Sequence, residues 1–160
     1  MPSQNQSNED YAKFVEDLGK GIALFTEAST EIAAVQLNNQ MRLRIHEVGA
    51  DANGEVLKQG RGYTEAYAKF RQGLGRQVQK IDLDLFGNLK RSPTVVKTTQ
   101  GQNIIFNAQE QTEKARGLEK RFNQQIFFPS NQEAEVALDT IEEQFNELIN
   151  ELAARYNFKV

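Results

Sequence analysis

Between residues 8 and 47, apolar side chains recur at intervals of three and four: Tyr11, Phe14, Val15, Leu18, Ile22 and Phe25, then Ile32, Val35, Met41 and Ile45. That is the period of an α-helix, not of a strand. A helix this long with one apolar stripe needs a partner along its length, because packing of that face supplies most of its stability. Ser7 is the expected N-cap, with Glu9 and Asp10 placed to complement the helix dipole. Gly19 and Gly21 mark the middle as a place for a kink or a break into two helices. Residues 1–10, "MPSQNQSNED", read as a flexible polar tail.

A second helical signal lies at the other end. "SNQE", Ser130 to Glu133, is a capping box, with serine accepting from the third amide and glutamate reaching back. It opens a helix whose stripe is Val136, Leu138, Ile141, Phe145, Leu148, Ile149 and Leu152. Shorter pieces lie between. "GADANG" (49–54) turns the chain, and residues 63–74 form a short helix. Residues 78–85 alternate in the manner of a half-buried strand, and Gly87-Asn88 makes a turn. Residues 93–108 read as a β-hairpin, residues 109–122 as a charged surface helix, and "IFFPS" as an apolar connector. This order indicates an α+β fold, with long N- and C-terminal helices packed on a small antiparallel β-sheet, in a single domain over residues 11–160.

Composition narrows the functional classes. The chain has 160 residues, enough for one domain with its own core. It has no cysteine, which excludes disulfides, thiolate metal sites and a cysteine nucleophile. No apolar run approaches the roughly 18 residues of a membrane span. The N-terminus lacks the pattern of a secretory signal, so an intracellular chain with no membrane partner is expected. The net charge of −3 hides an asymmetry. Residues 55–97 carry nine basic residues against four acids, and residues 131–160 carry seven acids against two bases. Such halves can meet across a subunit boundary or remain two solvated faces.

The search for chemistry finds little. His46 is the only histidine, at the end of the first helix, and reads as a cap or surface residue. Asp82 and Asp84 share one face of the expected strand, where a carboxylate pair can hold a cation or do acid/base work. The plainer reading is the polar side of a strand. The glycines of "GRG" (60–62) and "GLGR" (73–76) do not make a phosphate loop, because Val78 stands where a third glycine belongs. No cofactor is expected.

One longer pattern stands out. "IHEVGADANGEVLKQGRGYTEAYAKFRQGLG", then "DLDLFGNLKRSPTVV", "GQNIIFNA" and "EKARGLEKRFNQQIFFPSNQE" together resemble the tail-completion, or virion-morphogenesis, proteins of tailed bacteriophages. The resemblance covers residues 32–152. It departs at Asn123, where glycine is usual, and at Pro129, which follows the phenylalanines instead of preceding them. It implies a non-enzymatic structural subunit of the virion, assembled in the host cytoplasm. Such subunits form a homo-oligomeric ring at the neck, between the head connector and the tail proteins, through which DNA passes. The implied interface or DNA-channel residues are Arg61, Arg71, Arg76, Lys90, Arg91, Asp82 and Asp84, with the apolar loop Ile126, Phe127 and Phe128. A nucleic-acid-binding adaptor using the basic middle segment is the alternative.

Overall fold

The computed structural model describes residues 4–57 and 62–156. Helix α1 runs from Gln4 to Arg42 without interruption through Gly19 and Gly21. At 1.5 Å per residue its 39 residues span about 58 Å. The helix starts ahead of Ser7, the expected cap, and takes in residues 4–10 of the expected tail. It continues from Leu43 to Val48 as a wider π-helical segment that buries Ile45 and His46.

Helix α5, Asn131–Arg155, opens with the capping box foreseen at Ser130 and Glu133. It lies antiparallel against α1. The ring of Phe14 meets that of Tyr156 edge-on at 5.9 Å. Phe25 meets Phe145 at 5.5 Å. Further along, Thr140 Oγ1 donates to Gln36 Oε1 at 2.6 Å. Leu148 and Leu152 pack over Gly21.

Between the long helices come α2 (Glu65–Gly73), the single turn α3 (Asn88–Arg91), strands β1 (Pro93–Thr98) and β2 (Gly101–Phe106), and α4 (Gln109–Phe122). The strands form an antiparallel hairpin in which Val95 faces Ile104 and Thr98 faces Gly101. The hairpin lies beside α1, where Asn38 Nδ2 donates to Pro93 O at 3.3 Å and Lys97 pairs with Glu27. Asn123, at φ 53°, ends α4. The architecture is α+β, two long helices with a small antiparallel sheet.

One expected element is missing. Residues 78–85 form no strand. Asp82 turns its carboxylate back to accept from the backbone N–H of Asp84 at 3.0 Å, and Leu83 adopts a left-handed φ of 51°. A chain bent in this way cannot present a continuous ladder of donors and acceptors.

The core sits at one end of the molecule. Met41, Ile45, Leu57, Ile81 and Ile126 are buried together, surrounded by Leu37, Tyr63, Leu83, Ile104, Phe122 and Phe127. The outer length of the helix pair lies away from this cluster.

Gly49 closes α1 onto the core. Its φ is +77°, and a β-carbon there would stand 2.5 Å from the carbonyl oxygen of Ile81. Gly54 has a similar φ of +80° with open space around it. Left-handed backbone alone costs a residue with a side chain about 1–2 kcal/mol. Gly54→Ala is therefore expected to lose about that much stability, and Gly49→Ala about 3 kcal/mol, because the clash with backbone adds to it. Urea unfolding midpoints of the two variants check the difference.

Candidate functional site

The two aspartates of residues 80–85 have different fates. Asp82 is buried, and both of its oxygens are committed. Arg71 Nη2 donates to Oδ1 and Oδ2 at 2.9 Å each. The Tyr63 hydroxyl donates to Oδ1 at 3.0 Å, and Gln77 Nε2 donates to Oδ2. The same Tyr63 oxygen accepts from the Asp82 backbone N–H at 3.2 Å. The Arg71 guanidinium also lies over the Tyr63 ring, 4.6 Å from its centre. Burial opposes ionisation of Asp82. The hydrogen bonds from Gln77, the Asp84 amide and Tyr63, with the charge of Arg71, outweigh it and hold the carboxyl below its ordinary value. Burial pushes the Tyr63 phenol up to about 12. A carboxylate engaged this fully has no lone pair left for a cation or a substrate proton. Asp84 is half-buried, with Oδ1 left without a partner. Among the described residues no group of three or more histidine, aspartate or glutamate side chains is placed to hold a metal ion.

This node overturns several expectations. Arg71 is 1 % exposed and Asp82 is 7 % exposed, so neither faces a neighbour or a channel. His46 is no surface cap. It is 4 % exposed, and its Nδ1 donates to Asp82 O at 2.7 Å, which ties the end of α1 to the node. Ile126 is fully buried, Phe127 is half-buried with its ring edge-on to Phe106 at 5.4 Å, and only Phe128 of that loop is exposed. Phe128 stands at a cleft of about 330 Å³ between α1 and β2.

The basic middle segment is largely engaged at home. Lys90 pairs with Glu47, Lys97 with Glu27 and Lys69 with Glu65. Arg91 donates to the carbonyl of Phe86 at 3.0 Å. Arg76 is exposed. Arg61 lies outside the described residues.

Two residues absent from the sequence reading organise the region. Arg44 donates from Nε to Glu133 Oε1 at 2.8 Å, from Nη1 to the carbonyls of Ala50 and Ile126, and from Nη2 to that of Phe128 at 2.7 Å. Glu119 Oε1 accepts from the amides of Ile126 and Phe127 at 2.9 and 3.0 Å. The apolar loop thus has carbonyls held by the half-buried charge of Arg44 and amides held by that of Glu119. No periodic pattern announces such residues. The nearest signal for Arg44 is an arginine set between apolar Leu43 and Ile45.

Above the node lies a cleft of about 510 Å³. Tyr63, Tyr67, Phe86 and Phe122 contribute rings to its wall, with Leu118, Lys114 and Arg121 from α4. Its lining contains no carboxylate. Among the described residues neither Lys114 nor Arg121 has an ion pair. The other notable surface is apolar and runs along the helix pair. On α1, Tyr11, Val15, Ile22, Ile32 and Val35 are 40–61 % exposed, and on α5 Leu138 is 66 % and Phe145 38 % exposed.

Removing Arg71 leaves a buried, uncompensated carboxylate, so Arg71→Met is expected to cost about 3–5 kcal/mol in urea unfolding at neutral pH. His46 supplies a pH signature. Burial, opposed by its bond to the Asp82 carbonyl, keeps its pKa below the ordinary value. The unfolded chain then takes up a proton near pH 6.5 that the folded chain does not, so stability falls as pH drops from 7 toward 5. With only one histidine in the chain, that loss is expected to vanish in His46→Asn, as read from unfolding midpoints across the range. No protein-family model, curated protein or solved structure matches this chain, and its function has to be argued from its own residues.

Proposed function

We propose that this chain is a structural subunit of a tailed-phage virion, a neck or tail-completion protein that forms a ring joining the head connector to the tail. The observation that carries the reading is the uncovered apolar stripe on α1 and α5. A soluble subunit rarely leaves a contiguous run of large apolar side chains in water unless another protein covers it. Here Val15, Ile22, Ile32 and Val35 share one helix and are exposed, and the long element packed on that helix is α5. The resemblance carried by residues 32–152 supplies the kind of assembly. Function in this reading resides in surfaces. The buried aspartate node is a scaffold for them.

The geometry gives less support to an adaptor that tracks DNA with the basic middle segment. Such binding needs free cations to neutralise phosphates. Arg71 is buried in its pair with Asp82, and Lys90, part-buried, pairs with Glu47. Among the described residues no helix is long and apolar enough to cross a membrane.

Electron microscopy of lysates from a phage lacking this gene tests the proposal. The expected picture is filled heads lying beside unjoined tails. Normal particles would remove the basis for the neck assignment.

A further inference from the structure

We propose that the chain docks head to tail on a second copy of itself, with the α5 stripe of Glu135, Leu138 and Glu142 lying across the α4 stripe of Lys114, Leu118 and Arg121. This rests on the assembly reading and names its contact surfaces.

Charge supplies the first argument. Lys114 and Arg121 overlook a cleft without a carboxylate, and no acid of the described residues pairs with either. Glu135 and Glu142 are exposed on α5 and likewise have no ion pair among the described residues. Spacing is the second argument. Lys114 and Arg121 are seven residues apart, and so are Glu135 and Glu142. Seven helical residues rise about 10.5 Å in two turns, so two helices laid side by side bring both pairs into register. Each stripe carries a leucine between its charges, Leu118 on one and Leu138 on the other.

Shape agrees with charge. Leu138 is 66 % exposed, and the cleft of about 510 Å³ beside Leu118 has ample room for an inserted aliphatic side chain. Exposed ion pairs contribute little affinity but fix orientation and exclude wrong registers. The burial of Leu138, with Phe145 two turns along the same stripe, supplies the affinity. The two stripes are different patches on one molecule, so the contact is heterologous. Repetition of such a contact closes a ring when the rotation per step allows it.

The absence of native cysteine makes a direct test available. Leu118→Cys and Leu138→Cys are made in separate chains, mixed and oxidised. The mixture is expected to give a disulfide-linked dimer on a non-reducing gel, while each variant alone gives none. Charge reversal supplies a second readout. By sedimentation velocity, Lys114→Glu with Arg121→Glu, and Glu135→Lys with Glu142→Lys, are each expected to be monomeric while still folded by circular dichroism. Mixing the two reversed proteins should restore the oligomer, because their altered faces again complement each other. A wild-type oligomer that survives both reversals and yields no mixed disulfide overturns this interface and leaves the assembly reading standing. A wild-type chain that stays monomeric at every concentration overturns this interface, and normal particles in the lysates of the gene-deleted phage overturn the assembly reading.

Discussion

The fold hangs on one guanidinium. Arg44 sits where the long first helix widens and stops, and its side chain is only 11 % exposed. From there it reaches a carboxylate on α5 and three backbone carbonyls in two separate loops. A buried arginine is tolerated only when its charge is matched and its donors are satisfied. The partner that matches it, Glu133, is also the residue that closes the capping box of α5. One carboxylate therefore starts the last helix and fixes that helix to the end of the first. The antiparallel course of α1 and α5 follows from that junction, and the contacts from Thr140 to Tyr156 extend it outward.

A junction of this kind explains how a small apolar core holds two long helices. Five buried apolar side chains gather at the Arg44 end, and polar nodes surround them. Asp82 gathers Arg71, Tyr63 and Gln77 on one side. Asp51 accepts from the amides of Asn53 and Glu55 on another, and Gln124 donates to its second oxygen. The loops are irregular yet held, because each turns around a buried side chain that satisfies its backbone. The outer helix pair is tied by fewer polar contacts, among them the Tyr156 hydroxyl donating to Asp17 at 2.6 Å. There one helix covers only part of the other, so half of a stripe that the periodicity marks as buried remains in water.

Legibility in the sequence divides along the same line. The two long helices, the capping box, the hairpin and the end of α4 were all readable, since period, cap and turn chemistry are local. Around Asp82 the alternation of apolar and acidic residues does not reveal which side chains point inward. Ile81-Asp82-Leu83 alternates as a strand would, yet Asp82 faces Arg71, and Leu83 takes a backbone conformation that no strand allows. The burial of Arg71 and His46 is hidden for a related reason. A charged or titratable residue looks like surface until its partner is known, and each partner stands 11 or more residues away in the chain. The apolar loop was half legible: Ile126 went to the core, as any single large apolar residue tends to, while Phe128 stayed out.

Charges that looked available, those of Arg71, Asp82 and Lys90, are spent inside the subunit. Lys114, Arg121, Glu135 and Glu142, which look like ordinary solvated surface, have no ion pair among the described residues. Net charge over a segment is therefore a poor guide to where a subunit meets its neighbours. What matters is the charge left after internal pairing, set beside apolar surface left after internal packing. In this chain the exposed apolar side chains run along α1 and α5, and α5 is the helix on which they meet the exposed charges Glu135 and Glu142.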